Sequence, residues 1–296
     1  MTLIYTLAMF KLLLLLLCLV PFSASTCIFG VDDRHDYNDI KDKRIVAMAN
    51  SSVALIPKDR LTKLGSGDYI LNGKSLVDTM NFCPEERFAN QPVNANCSGA
   101  LVGEDLILTA AHCIDKTSKH NTGLSNYYAV FDYKVKSASQ VSFVIKAQNV
   151  FSLESFDYHN FDKTFYKTGL DLALVRLDRK AQRETLEIDF NYNYNNPNSI
   201  FTIGYPYGVP MKLADNATIT QYRPKINSFK NNLDIFSVNS GSPVFDEATK
   251  KIIGVVVRGT NGRSDDSLCR KWSIADEMKD YADANTVNIL KPFFQK

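Results

Sequence analysis

Short apolar or alternating runs recur along the chain, separated by polar breaks. They are Ile45 to Ala49, Val53 to Ile56, Leu106 to Thr109, Tyr127 to Phe131, Val141 to Ile145, Leu172 to Leu177, Ile200 to Ile203 and Ile252 to Val257. Their shortness and their β-branched and aromatic content predict strands, because such side chains fit a pleated, buried surface. Long amphipathic helical patterns are scarce, and Ile274 to Leu290 is the stretch predicted as a terminal helix. No linker divides the chain after its first residues, and no internal repeat is found. Many short strands predict an all-β sandwich or a pair of barrels rather than a parallel α/β sheet. The run Asn191 to Asn198 reads as a surface loop.

The N-terminus differs in kind. Lys11 precedes Leu12 to Val20, an unbroken apolar run that Pro21 ends, and Ser23-Ala24-Ser25 follows with small residues. This is the layout of a secretory signal over residues 1–25, leaving 26–296 as one exported domain. An uncleaved anchor is the alternative, because Met1 to Phe10 is itself apolar, but the charge-free stretch is short for a span. A lipoprotein built on Cys27 is a further option that Thr26 fits poorly. No later segment has the apolar length to cross a membrane, so no stable membrane association is expected.

Composition narrows the picture further. With 45% hydrophobic and 22% charged residues, the 296-residue chain is suited to a well-buried core. Its 34 basic and 32 acidic residues leave a net charge of +2, which gives no reason to expect a nucleic-acid partner. Of the 6 cysteines, Cys18 would leave with the signal. The exported chain would keep Cys27, Cys83, Cys97, Cys113 and Cys269, an odd set with one thiol free or shared between chains. Asn50, Asn96 and Asn216 stand in glycosylation-type contexts.

Three segments carry candidate chemistry. The first is Cys97-Ser98-Gly99-Ala100-Leu101-Val102-Gly103, followed by Leu106-Ile107-Leu108-Thr109-Ala110-Ala111-His112-Cys113. A Cys97–Cys113 bridge would fix the turn that presents the imidazole, and a loop of that size is worth about 3 kcal/mol in the chain-entropy model. A general base needs that rigidity to stay within reach of its nucleophile. The second is Asp171, which leads into Leu172-Ala173-Leu174-Val175-Arg176-Leu177. An acid at the mouth of so apolar a strand is costly to bury without a partner, and His112 is the partner that would give it a role. A plain strand-leading aspartate is the alternative, and Asp157 and Asp162 are rivals. The third is Asn239-Ser240-Gly241-Ser242-Pro243-Val244-Phe245. Gly241 allows a tight turn beside a hydroxyl, and Pro243 stiffens the exit into a strand. Ser240 is the expected nucleophile and Ser242 its competitor. No Cys/His spacing reads as a zinc site, and no metal or organic cofactor is expected.

In the order His, Asp, Ser, these segments resemble the trypsin/chymotrypsin clan. The finer similarity is to the bacterial branch that includes the glutamyl endopeptidases. It rests on Ser240 to Phe245 after Asn239, on Ile28-Phe29-Gly30-Val31-Asp32-Asp33-Arg34, and on Ile203-Gly204-Tyr205-Pro206-Tyr207-Gly208-Val209-Pro210. The resemblance spans most of Ile28 to Gly259. It implies two perpendicular six-stranded β-barrels, a triad of His112, Asp171 and Ser240 in the cleft, and a C-terminal helix. It also implies a monomeric endopeptidase that acts on protein or peptide substrates through an acyl-enzyme. The N–H groups of Val238 and Ser240 would form the oxyanion hole. The substrate strand would pair along Val257, Arg258 and Gly259.

Several positions depart from the family pattern. Val238 stands where the family has glycine. Asn239 replaces the aspartate that pairs with a new N-terminal amine in trypsin-like zymogens. Signal removal, with trimming towards Ile28, is therefore expected to suffice for maturation. Asp234, six residues before Ser240, suggests a basic P1 side chain, whereas Arg258 suggests an acidic one. Glutamate-specific members carry a histidine near Val256, and this chain does not. Among Cys27, Cys83 and Cys269, three single-bridge choices remain open.

Overall fold

All but one of the apolar runs supply paired strands, and every ladder between strands is antiparallel among the described residues. The computed structural model describes residues 28–118, 123–137, 140, 143–164, 167–259, 263–264, 268–275 and 281–295. The expected signal over 1–25, and Cys27, lie outside the described residues. In chain order the strands are β1 Arg34–Asp36, β2 Ser52–Pro57, β3 Leu61–Lys63, β4 Tyr69–Leu71, β5 Cys97–Gly103, β6 Leu106–Thr109, β7 Tyr127–Val130, β8 Val144–Ile145, β9 Val150–Phe161 and β10 Asp171–Leu177. They continue as β11 Ile200–Gly204, β12 Lys212–Ala217, β13 Ile219–Arg223, β14 Ser228–Asn231, β15 Pro243–Asp246, β16 Ile252–Arg258, β17 Arg263–Ser264, β18 Lys271–Trp272 and β19 Ala282–Thr286. The helices are short: α1 Lys43–Ala49, α2 Leu76–Met80 and several single 3-10 turns.

Six strands close the first barrel in the order β10-β6-β5-β2-β7-β9. The second half is an eight-stranded sheet ordered β1-β12-β11-β15-β16-β19-β14-β13. Strands β2, β6 and β10 of the first barrel are largely apolar on both faces because both faces are buried. Along β2, Val53 and Leu55 join one core cluster while Ala54 and Ile56 join another. Along β10, Ala173 and Val175 follow the first pair, and Leu172 and Leu174 the second. The second of these clusters also takes in Phe201, Ile203, Phe245 and Val255, so it continues into the eight-stranded sheet. Fully burying a leucine or isoleucine side chain contributes about 1.5–3 kcal/mol. This shared core therefore binds the halves.

Two expected elements are corrected. Ile45 to Ala49 is helical, within α1. The Asp42 side chain caps it by accepting from the Arg44 N–H at 2.8 Å, and the buried Ile45 and Ala49 lie four residues apart on one face. An apolar run of that length fits a strand or a helix turn equally, and the capping aspartate decides it. The helix expected over Ile274 to Leu290 is replaced from Ala282 onward by β19, which sits between β16 and β14. The terminal helical element is the 3-10 segment Asn288–Phe293. Cys83 pairs with Cys269, selecting one of the three open choices.

Candidate active site

Strand register brings the first two candidates together. β10 runs antiparallel to β6 with Ala173 opposite Thr109, so Asp171 falls beside the residues just past the end of β6. Those residues form a 3-10 turn, Ala111–Cys113, held by the expected Cys97–Cys113 disulfide. The His112 N–H donates to Asp171 Oδ1 at 2.8 Å, and its Nδ1 lies 2.6 Å from Asp171 Oδ2. Asp171 is 0% exposed. A carboxylate only accepts, so Nδ1 carries the proton and Nε2 is left as an acceptor. The rivals are engaged elsewhere. Asp157 receives Arg176 Nε at 3.0 Å. Asp162 is held below the ordinary carboxylate range, by Thr164 above all and by the N–H groups of Thr168 and Gly169.

The serine turn is clamped between the halves. Ser98 N–H on β5 donates to the Ser240 carbonyl at 2.8 Å, and Gly241 N–H donates to the Val256 carbonyl on β16 at 2.7 Å. Gly241 has φ 88°, and a Cβ there would lie 2.1 Å from the Ser98 carbonyl oxygen and 2.3 Å from Thr109 Oγ1. No other residue fits that passage. Ser240 is half-buried, whereas Ser242 is fully buried, its Oγ so placed that a Cβ on Gly204 would lie 2.0 Å away. Ser240 is thus the more accessible hydroxyl of the pair. The Cys113 sulfur sits 3.9 Å from His112 Nε2 and 3.6 Å from the Ser240 carbonyl oxygen. Bonded to Cys97, it has no proton to donate and serves as a spacer between the imidazole and the serine turn. Cys97, His112 and Cys113 donor atoms lie within 4.8 Å of one another. The two sulfurs are joined to each other, so the group offers a metal no thiolate.

Val238 adopts φ 77°, the left-handed conformation expected of glycine. For a β-branched residue this stores roughly 1–3 kcal/mol of strain. Among the described residues, no acceptor pairs with the N–H of Val238 or of Ser240. Two unpaired donors on either side of Asn239 are what an oxyanion would require.

The four positions expected to contact substrate differ in exposure and partners. Asp234 is 3% exposed, and its carboxylate accepts the Phe29 N–H at 2.7 Å and the Asp33 N–H at 3.3 Å. It is turned to the N-terminal segment instead of a substrate, because that segment returns to pack behind the serine turn. Burial pushes the Asp234 carboxyl up, and burial and Asp234 together push up that of Asp33. Val257 is buried, Gly259 is exposed, and Arg258 ends β16 opposite Asp283, with Nε 3.6 Å from Asp283 Oδ2.

Sequence reasoning passed over several residues. Asn285 on β19 accepts the Asp171 N–H through Oδ1 at 2.8 Å and donates to the carbonyls of Gly169 and Asn227. Arg34 is 1% exposed, paired with Asp32 and stacked on Phe88, Phe236 and Trp272 at 4.3 to 5.1 Å from the ring centres. Ser98 is buried against the serine turn. The matched Ile28 to Arg34 motif signalled Arg34. Neither Asn285 nor Ser98 carried a pattern of its own.

Comparison with known proteins agrees with this geometry. Residues 97–255, more than half of the chain, match the family model described as a trypsin-like peptidase domain. A trypsin-like protease of Streptomyces glaucescens is 32% identical over 103 residues, covering 35% of this chain and 33% of that protein. Granzyme-like protein 2 of Rattus norvegicus is 29% identical over 111 residues, covering 36% and 38%. The chain thus spans less than two fifths of the length of these curated relatives. The structure of a Glu endopeptidase in complex with MPD superposes with a TM-score of 0.51 at 15% identity, covering 90% of this chain and 98% of that one, which is a likeness of fold. By its fold and by the span of the family match, the chain belongs to the trypsin-like peptidase family.

Proposed function

We propose that the protein is an exported serine endopeptidase in which His112, Asp171 and Ser240 form the catalytic triad. The observation that supports this reading is the His112–Asp171 pair, which leaves Nε2 as an acceptor 3.9 Å from the Cys113 sulfur, itself 3.6 Å from the Ser240 carbonyl oxygen. Ser240 Oγ attacks the substrate carbonyl and passes its proton to His112 Nε2. Asp171 holds the tautomer and stabilises the imidazolium. The N–H groups of Val238 and Ser240 receive the oxyanion. His112 then protonates the leaving amine, and water hydrolyses the acyl-enzyme by the same route in reverse. An extended peptide would lie along Val257, Arg258 and Gly259 and add a strand to the sheet edge. Engagement of Asp234 by the N-terminal segment weighs against a basic P1 preference, and Arg258, beside Asp283, favours an acidic one.

A fluorophosphonate probe tests the triad: Ser240 is labelled in the wild type and unlabelled in His112→Ala. Folded protein that resists the probe and cleaves no peptide in a library sinks this reading. The φ of Val238 favours one second reading, a catalytically weak homologue acting as a binding protein. In that case the probe labels slowly, and Val238→Gly restores speed.

A further inference from the structure

We propose that Ser98 is a positioning residue for the oxyanion hole, holding Val238 in a backbone conformation that its own side chain resists. This inference rests on the peptidase reading above. Three consecutive carbonyls fix the turn before Ser240. Phe236 accepts from the Asn239 N–H at 3.0 Å and Ser237 from the Tyr207 N–H at 2.7 Å. Val238 accepts from Ser98 Oγ at 3.1 Å. The first two anchors lie on the serine side of the cleft, and the third crosses from β5 of the first barrel.

Ser98 is committed at every polar atom. Its N–H holds the Ser240 carbonyl at 2.8 Å, and its own carbonyl accepts Thr109 Oγ1 at 2.7 Å. The Tyr205 N–H donates to its Oγ at 3.1 Å, and with that lone pair taken the hydroxyl hydrogen is aimed at the Val238 carbonyl. One buried residue therefore anchors the carbonyls of the same two residues whose N–H groups would bind the oxyanion. A β-branched residue released from that anchor relaxes towards negative φ, and rotation about its N–Cα bond turns the N–H out of the hole. Glycine at 238 would hold the same φ without strain, and the anchor would matter less.

The test is a double-mutant cycle on the full exported chain, read as the second-order rate of fluorophosphonate labelling at Ser240, with Tm measured alongside. Ser98→Ala is expected to slow labelling about tenfold or more, on the scale of a displaced oxyanion donor. Val238→Gly is expected to label within about threefold of the wild-type rate, because Ser98 already holds the competent conformation. In the double variant the slowing caused by Ser98→Ala shrinks to within about threefold. A peptide aldehyde, which binds as a tetrahedral adduct, should weaken in parallel with the labelling rate. Equal slowing in both backgrounds, or no slowing in either, overturns the inference, because a purely structural serine acts alike on valine and glycine. If Ser98→Ala fails to fold, the double variant must fold and label, and its failure overturns the inference too. Labelling in Val238→Gly but not in the wild type defeats the role of Ser98 and spares the triad. Absence of labelling in both defeats the triad itself.

Discussion

On one side of the cleft, His112 and Asp171 stand at the ends of two paired strands, and the register of β6 against β10 is enough to bring them into contact. On the other side, Ser240 stands on a turn with no ladder of its own. Val238 and Gly241 both hold positive φ there, and the turn is supported by Ser98, Val256 and the N-terminal segment. The first arrangement follows from short-range pattern plus pairing. The second is assembled from pieces distant in sequence, with a strained residue at its centre. Positioning by register is tolerant of change around it, whereas positioning by a clamped turn makes chemistry depend on each clamp.

The largest contrast is expected from Asp171→Asn. The substitution keeps the shape of a fully buried side chain but removes the charge that fixes the imidazole tautomer. It should lower kcat by roughly 10⁴-fold while Tm falls by no more than a few degrees. Steady-state kinetics on any cleaved peptide, with a thermal melt, checks both halves of the statement. A collapse in Tm that accounts for the lost rate would erase the distinction between the two sides.

Arg34→Met probes the clamped side, where stability and chemistry should move together. Arg34 is buried against three rings, one of them Phe236 at the start of the serine turn, and it pairs with Asp32 at 2.8 and 2.7 Å. Removing one partner of a buried pair costs about 3–5 kcal/mol. The lower end is expected, because Arg87 still faces Asp32 at 3.0 Å. Urea unfolding gives the stability. Fluorophosphonate labelling should slow in the fraction that remains folded, and undiminished labelling would detach the serine turn from the N-terminal segment.

How much of each side was legible in sequence follows the same division. The apolar runs of β2, β6, β10, β11 and β16 were readable because burial on both faces leaves no polar interruption. The histidine and serine segments were readable because close backbone passage dictates small residues, as at Gly241. The identity of the serine-bearing element was therefore plain, and its support was not. Asn285 lies far from Asp171 in sequence, inside a stretch expected to be helical, and only the pairing of β19 with β16 and β14 carries it to the start of β10. Asp234 was read as a substrate contact from its offset to Ser240. The return of Phe29 and Asp33 onto its carboxylate is a long-range contact that no local spacing encodes.

Losing the Cys97–Cys113 bridge should affect activity less than either substitution above, although it lies nearest the imidazole. Its 16-residue separation closes a short loop, worth about 3 kcal/mol in the chain-entropy model. Because β5 and β6 remain paired directly, Cys97→Ala with Cys113→Ala is expected to lower stability by that amount and keep measurable activity. Complete loss of activity at a temperature where the double variant stays folded would show that register alone does not hold His112.

The smallest effect expected is a pH dependence of the N-terminal clamp. Asp33 faces Asp234 across the N-terminal segment, with Asp215 and Asn216 also beside it, and Arg34 and Asp32 lie near Asp234. Burial comes first in raising both carboxyls, and their mutual repulsion adds to Asp33, which is pushed up to about 8. A carboxyl raised in the folded state binds more protons there than in the unfolded chain. Its stabilising contribution is therefore complete below the ordinary carboxylate range and is lost as pH rises through the folded values. Tm should fall by a few degrees from about pH 5 to about pH 8.5. Asp33→Asn, which keeps a neutral partner for Asp234 at every pH, should flatten that slope. A slope that persists unchanged in Asp33→Asn would move the titrating group out of the N-terminal clamp.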